Sequence, residues 1–481
     1  MKKSLLLGLS ALVTAAAWAP MANAGEIKLG GFYQGRWQVY DNTMTKEASP
    51  TNEGEGYVQR LQLQADMKAS EKSNAHLVVR VLDNNTVEGA DLGSVSDIAT
   101  TATPGLAAWN RVSPAANNAM SNNFWEIRQA WLETEAWGVG IKFGNMPLTL
   151  NDSILVGDDT SGNGGLLLSK TFGNVTVVAG NIRINEGTSM GTARNNTLYS
   201  SGQDDSNLWA ASAFGKVGLA DYNATLAYAD IGKVSDFQNA LNAATGNTAG
   251  CTAANPNCNG SNNLWAALTL SGKIGYVNAV GTVIYENGYD LKSNTAATAG
   301  SKVSSQFADS GALVALRLSG NTNFGEWNAY GFTASKGFNN ITNDNTGWSP
   351  TWAQDGPGTV DLLNTFANSA GKGALSSASG MTANSNWTSP SENMSGIGVG
   401  LKIKSAGWTI NPMVDYAQVT RSVTGDNFKS AAGGSLLLTT QIQKDTTLML
   451  EAAMIRPTTA SGATVTSDNP YYAQASIKMA F

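Results

Sequence analysis

The chain has 481 residues, a formal charge of -6 at neutral pH and a single histidine. This acidic balance argues against a nucleic-acid partner, because the phosphate backbone is bound by clustered Lys and Arg. Only 14% of the residues are charged, 52 are glycine, and the mean hydropathy is -0.16. The walls of transmembrane β-barrels have such a composition, since alternating lipid-facing and lumen-facing residues average to a bland hydropathy.

The first 24 residues predict a cleaved signal peptide. Two lysines near the start precede an apolar run that ends at Trp18, and Ala22-Asn23-Ala24 has the small-x-small form that a signal peptidase cuts. We therefore expect an exported protein with the mature chain 25–481 and, without the two lysines, a formal charge of -8. No later run of about 18 apolar residues would allow a helix to cross a membrane.

Hydrophobic residues alternate with polar ones in segments of about ten residues, the length of a tilted membrane-spanning strand. In 26–40, Ile27 and Leu29 share one face while Lys28 and Arg36 share the other. The pattern recurs to the end of the chain and predicts eighteen strands, near 26–40, 56–69, 74–83, 123–136, 138–145, 165–172, 174–184, 206–215, 219–230, 262–272, 275–287, 310–319, 325–336, 395–404, 407–420, 433–442, 446–456 and 470–481.

The connections between these segments alternate between short and long. Short ones occur at EKSN, at Trp137-Gly138 and at QKD, whereas 84–122 and 337–394 are long. Short periplasmic turns and long outer loops are typical of an outer-membrane barrel, and both termini then lie on the periplasmic side. We predict an all-β, transmembrane antiparallel barrel of eighteen strands. Sixteen strands is the alternative because 165–184 is weakly patterned, and a soluble sandwich or propeller would also alternate.

Two segments carry a resemblance to a known family. The last strand, YYAQASIKMAF, has apolar residues at every second position and ends on Phe481, which resembles the sorting signal of bacterial outer-membrane proteins. The stretch Ile127 to Asp159 resembles the pattern of Gram-negative porins, in which two strands around a tight turn precede a loop that folds into the pore. The chain is therefore similar to the porins of 16 or 18 strands.

This resemblance implies a location in the bacterial outer membrane and passive diffusion of small hydrophilic solutes and ions through a water-filled pore. It also implies an inward third loop, contact with outer-membrane lipid, insertion by the barrel-assembly machinery through Phe481, and a homotrimer. No cofactor is implied, although some similar 18-stranded porins carry calcium.

Four arginines of the polar parity, Arg36, Arg60, Arg80 and Arg128, lie on four consecutive predicted strands at similar heights. Arginine stays charged and binds carboxylate or phosphate in a forked geometry, so the four predict a basic constriction wall. The alternative is that they pair with carboxylates of the lumen and keep the wall solvated.

The predicted third loop supplies Asp152, Asp158 and Asp159 among apolar residues that packing against the inner wall would explain. If this loop folds inward, its carboxylates would face the arginines across the constriction. Asp158 and Asp159 are also weak candidates for binding calcium, because carboxylates offer hard oxygen ligands. Separately, Cys251 and Cys258 lie in a polar loop of an exported chain, where a disulfide is expected.

Three other functions compete with general diffusion. A channel selective for carboxylates, phosphate or sugars fits the same barrel, and a structural or adhesive barrel would use the long loops, including 337–394, as contact surfaces. Catalysis would have one possible centre, His76, which we interpret as a residue of the wall; we expect no enzyme.

Overall fold

The structure is a computed structural model that describes residues 25–41, 53–83, 126–185, 206–231, 261–287, 290–291, 310–335, 338, 342–343, 394–419, 428–459 and 471–481. Among the predicted features, the signal peptide, Cys251 and Cys258 lie outside these ranges, as does most of the loop 337–394. For Arg80, Asp158 and Asp159 the backbone is described and the side chain is not.

β-strands make up most of the described part of the chain. Eighteen of them are long and two, β12 and β15, have two residues each. They are β1 (Glu26–Asp41), β2 (Glu53–Ser70), β3 (Ser73–Asp83), β4 (Glu126–Ala136), β5 (Val139–Leu150), β6 (Val156–Phe172), β7 (Val175–Asn185), β8 (Ser206–Val217), β9 (Ala220–Ile231), β10 (Ser261–Ile274), β11 (Val277–Glu286), β12 (Asp290–Leu291), β13 (Gly311–Thr322), β14 (Gly325–Ala334), β15 (Thr342–Asn343), β16 (Met394–Ser405), β17 (Trp408–Val419), β18 (Phe428–Gln443), β19 (Thr446–Thr459) and β20 (Tyr471–Ala480).

The eighteen long strands close into a barrel. Each pairs with the long strand before it and the one after it, and β1 pairs antiparallel with both β2 and β20. Closure leaves no edge unpaired among these eighteen strands, as a sheet in lipid requires. The predicted number of strands is confirmed and the sixteen-stranded alternative is wrong, because the weakly patterned region forms the paired strands β6 and β7.

The two ends of the barrel differ in their connections. Eight two-residue turns lie at one end, which we call the short-turn end. In two of these turns both residues have positive φ, 54° and 70° at Trp137 and Gly138, and 50° and 83° at Ala406 and Gly407. Such turns match the twist of paired strands. Within the described ranges no helix is long and apolar enough to span a membrane.

Side chains alternate between the outside and the inside of the barrel. On β10, Leu264, Leu268 and Leu270 are exposed on the outer face, whereas Trp265 and Thr269 on the inner face are buried. The outer face is apolar along most strands, which suits contact with lipid chains. The inner face holds the polar residues and also, on β8 to β13, a set of buried apolar side chains that the alternation alone does not explain.

Candidate functional site

An inward hairpin occupies part of the barrel interior. The sequence predicted that one strand ends at 145 and the next begins at 165, with a loop between them. Instead β5 continues to Leu150 and β6 begins at Val156, with Leu148 opposite Asp158 in the continued ladder. The predicted loop is therefore a β-hairpin with a five-residue tip, 151–155, because its backbone groups pair with each other inside the barrel.

Apolar packing holds this hairpin against the wall. Six of its apolar side chains are buried, namely Met146, Leu148, Leu150, Ile154, Leu155 and Val156. The inner apolar residues of the wall are buried as well, including Ile182, Leu208, Trp265, Ile284 and Leu313. Apolar surface of this extent would be unfavourable in a water-filled lumen, so mutual burial explains both sets.

Polar contacts fix the position of the hairpin tip. The Asn151 side-chain amide donates hydrogen bonds to the Asn223 carbonyl on β9 at 3.2 Å and to the Thr269 hydroxyl on β10 at 3.4 Å. Asp152 forms an ion pair with Arg317 on β13. The tip is thus attached to three different wall strands, and one of the partners of Asp152 lies on β13.

Arg317 was missed in the sequence analysis. It follows Ala315 on the inner face of β13, in the apolar segment GALVALRL, and it is the charged residue of that segment. The sequence could have indicated it, because a charged residue on the inner face of an otherwise apolar strand needs a partner when it is partly buried.

The backbone at the hairpin tip is strained. Asn151, Asp152 and Ser153 all have positive φ, at 50°, 60° and 60°. Left-handed backbone is unfavourable for residues with a Cβ, and it persists where the surrounding contacts determine the conformation. The attachments of Asn151 and Asp152 to the wall provide such contacts.

A second segment joins the hairpin. β15 pairs in parallel with the start of β6, with Thr342 opposite Val156 and Asn343 opposite Gly157. Phe338, between β14 and β15, is fully buried. The described part of the long outer connection after β14 therefore lies beside the hairpin, so the interior of the barrel contains strands from two outer connections.

The predicted arginine wall is staggered along β1 to β4. Arg36 and Arg60 are on the inner face, 1% and 7% exposed. The register places Arg60 opposite Gln34, two positions below Arg36, and Arg80 opposite Gln62, two positions along β2 from Arg60. Arg36 and Arg60 thus lie at neighbouring positions of paired strands, and both are buried.

Arg128 lies at a β-bulge. It and Gln129 together stand opposite Val78, so one extra residue is inserted into β4. The Asn145 side chain donates a hydrogen bond of 3.0 Å to the Arg128 carbonyl at this point. The Arg128 side chain is half-buried, which makes it more accessible than Arg36 or Arg60.

His76 belongs to a polar cluster on the inner wall near the short-turn end. Its Nδ1 contacts the Asp66 carboxylate, and its ring stacks on Trp131 with the centroids 5.0 Å apart. The ammonium group of Lys142 on β5 lies 4.0 Å from the ring centre of Trp131 on β4. These contacts account for His76 as a wall residue. In the described part of the chain no group of three or more His, Cys, Asp or Glu could hold a metal ion, and calcium stays a prediction.

The wall from β14 to β1 has a different character. Gln474 donates to Glu451 at 2.7 Å and Gln34 donates to Ser476 at 3.3 Å, all of them buried on the inner face. Asp415, also on the inner face, is 7% exposed. The interior therefore carries the buried carboxyl groups of Glu451 and Asp415 on this side, and the buried Arg36 and Arg60 on β1 and β2 beside it.

No protein-family model and no curated protein matches the sequence. Solved structures do match it, and one is Pseudomonas aeruginosa OccK9 (OpdG), at 9% identity and a TM-score of 0.52, over 95% of this chain and 98% of that chain. Acinetobacter baumannii OccAB2 is similar at 11% identity, a TM-score of 0.52 and coverage of 95% and 98%. A BenF-like porin from Pseudomonas fluorescens Pf-5 is similar at 10% identity, again with 0.52 and coverage of 95% and 98%. The resemblance to Gram-negative porins is confirmed at the level of the fold.

Proposed function

We propose that the chain is an outer-membrane channel through which small hydrophilic solutes and ions diffuse passively. The observation that carries this proposal is the closed barrel with a hairpin fixed inside it by Asn151 and Asp152. A barrel built as a packed soluble domain would have no use for an apolar outer face. The similarity of the fold to the BenF-like porin supports the same function.

The proposal includes the features that an outer-membrane location requires. A signal peptide ending at Ala24 directs export, the short-turn end faces the periplasm, and Phe481 is the signal for the barrel-assembly machinery. The outer face contacts lipid, and the channel is a homotrimer. The channel itself is no enzyme.

Selectivity in this proposal comes from the arginines of β1 to β4. A basic wall raises the local concentration of anions and lowers that of cations. The half-buried Arg128 contacts permeating anions, while Arg36 and Arg60 contribute through the field of buried charges. Carboxylate and phosphate groups match a guanidinium better than other anions do.

A planar-bilayer measurement tests this function. The reversal potential under a KCl gradient is compared between the wild type and a variant with Arg36, Arg60, Arg80 and Arg128 replaced by Gln. We expect a stable open conductance and a shift of the variant towards cations. Arg456→Gln is the matched control, because Arg456 is exposed on the outer face of β19, on the same side of the strand as the exposed Met454. Folded protein that never conducts would contradict the channel and leave a structural or adhesive barrel.

A substrate-selective channel is the second candidate. The observation in its favour is the pairing of β15 with β6, which places strands from two outer connections in the interior. The current through a general pore rises linearly with the concentration of the solute. The current through a selective channel saturates, because the channel binds its solute. Saturation of the current by a small carboxylate, lost in Arg128→Gln, would favour this candidate over general diffusion.

A further inference from the structure

A polar recess opens in the inner wall near the short-turn end, on the side away from His76. Its volume is about 250 Å³, and β11, β13, β14, β16 and β17 each contribute lining residues. Six of these residues carry the argument, and we call the site they form the amide recess: Asn278, Asn321, Glu326, Asn328, Lys402 and Asn411.

The strand register brings the polar residues of the recess together. Asn278 on β11 stands opposite Ser319 on β13, and Ser319 stands opposite Asn328 on β14, so three lining residues share one row of the inner face. Asn321, Glu326 and Lys402 form a second row, two positions nearer the short-turn end. In the other direction along β16 the inner face is covered, because the rings of Tyr330 and Phe332 lie over Gly398 and Gly396.

The charges of the recess neutralise each other. Glu326 and Lys402 are opposite residues on β14 and β16, and their charged groups are 3.6 Å apart. An anionic solute would have to compete with Glu326 for Lys402, and a cationic one with Lys402 for Glu326. The remaining groups are uncharged amides, which donate through nitrogen and accept through oxygen. The site therefore favours an uncharged solute that can do both.

Two atoms of the recess lack a hydrogen-bond donor. The side-chain oxygens of Asn328 and Asn411 are buried, and no group among the described residues donates to either. A buried acceptor without a partner is unfavourable, so a ligand that brings donors would be bound through these two atoms. Hydroxyl groups both donate and accept, which matches the two halves of each amide.

We propose that the amide recess binds a small uncharged polyhydroxylated solute, such as a monosaccharide, at the periplasmic mouth of the pore. This inference rests on the proposed channel and names a solute class for it. The volume holds roughly eight water molecules at ~30 Å³ each, enough for one sugar ring and too little for a drug-sized ligand. Binding must be weak, because a solute in a conducting pore has to leave again.

The test is the single-channel current of the full-length protein in KCl with increasing glucose. We expect a saturating fall in current. A polyether of similar size, which accepts hydrogen bonds but does not donate them, should give only the linear fall that its viscosity causes. In the double variant Asn328→Leu with Asn411→Leu, the half-saturating glucose concentration should rise about tenfold, as the loss of two hydrogen bonds of ordinary strength predicts.

Controls separate this inference from the channel itself. Asn74→Leu changes an asparagine of similar burial on β3, near the same end and outside the recess, and should leave glucose saturation unchanged. Unaltered KCl conductance shows that each variant folds.

If the double variant does not fold, each single variant should give about a threefold change in the half-saturating glucose concentration. If folded wild type does not conduct, equilibrium dialysis of labelled glucose tests the recess directly. Equal effects of glucose and polyether, or equal saturation in wild type and variants, would overturn the proposal.

Discussion

Asp152, at the tip of the inward hairpin, forms an ion pair with Arg317 on the wall strand β13, 165 positions later in the chain. Both side chains are less than a third exposed, at 14% and 28%. The pair connects the predicted constriction loop to the side of the barrel away from β1 to β4. Together with the Asn151 hydrogen bonds, it therefore fixes the position of the hairpin inside the barrel.

Removing this pair should loosen the hairpin. In Asp152→Asn we expect larger current fluctuations and a changed mean conductance, because the tip loses its ion pair with β13 and keeps the Asn151 hydrogen bonds to β9 and β10. A double-mutant cycle with Arg317→Gln, read by denaturant unfolding in detergent, should give a coupling of about 1.5–3 kcal/mol, the range for a hydrogen bond between charged groups.

The pair between Lys216 and Asp221 is the matched control, since its atoms are 3.4 Å apart but its side chains are exposed. The cycle Lys216→Gln with Asp221→Asn should show no measurable coupling. Equal coupling at the two sites would mean that Asp152 and Arg317 do not anchor the hairpin.

The strained tip makes a prediction about stability. Ser153 has a φ of 60°, which glycine adopts without a steric penalty. Ser153→Gly should therefore stabilise the protein by about 1 kcal/mol, because the left-handed conformation is unfavourable by roughly 1–2 kcal/mol for a residue with a Cβ. Ser153→Ala keeps the Cβ and should give no gain. The unfolding midpoints in urea decide between them, and an equal shift in both variants would exclude relief of backbone strain.

The glycines of β16 should be sensitive to size. A Cβ at Gly398 would lie 2.4 Å from the ring of Tyr330, which is buried and has little room to move. Gly398→Ala should therefore destabilise the barrel by about 1–3 kcal/mol. Gly281→Ala is the control, since nothing lies within 4 Å of a Cβ there. In the double variant with Tyr330→Ala the two losses should not add, because the overlap is gone; additive losses would contradict the steric explanation.

The C-terminal residue closes the barrel as well as carrying the predicted assembly signal. The Phe481 amide donates to the Gly31 carbonyl at 3.1 Å, and the Gly31 amide donates to the Phe481 carbonyl at 3.0 Å. Deleting Phe481 removes both bonds, whereas Phe481→Ala keeps them. In detergent, without assembly machinery, we expect slower refolding for the deletion and near wild-type refolding for Phe481→Ala. In cells both should insert poorly. Normal insertion of Phe481→Ala in cells would exclude the sorting role.

The four arginines of the predicted wall should differ in their effects. Arg36 is almost completely buried, so Arg36→Gln should lower the free energy of unfolding by about 3 kcal/mol, as expected when a buried charge is removed from its partners. Arg128 is half-buried, so Arg128→Gln should change stability little and should shift the reversal potential more for each charge removed. If Arg128→Gln lowered the stability more and Arg36→Gln shifted the reversal potential more, Arg36 and not Arg128 would be the arginine that interacts with permeating ions.

The strands follow from the sequence because side chains in a strand point alternately to opposite faces. This alternation is visible wherever lipid lies on one side and polar contents on the other, as at Ile27 and Lys28. It located all eighteen long strands, including β20 with its terminal Phe481. It was weakest at β6 and β7, where apolar and small residues occur on both faces.

The interior was decided by contacts between residues far apart in the chain. The sequence indicated that the segment with Asp152 turns inward, since its leucines needed cover, but not that it forms a hairpin or that Arg317 is its partner. The amide recess likewise depends on the register that brings Asn278, Ser319 and Asn328 into one row. Local alternation determines which face a side chain is on, whereas the stagger between strands and the packing of inserted segments determine which side chains meet. That is the reason the sequence by itself determined the barrel, and only the tertiary structure decided the shape of the pore.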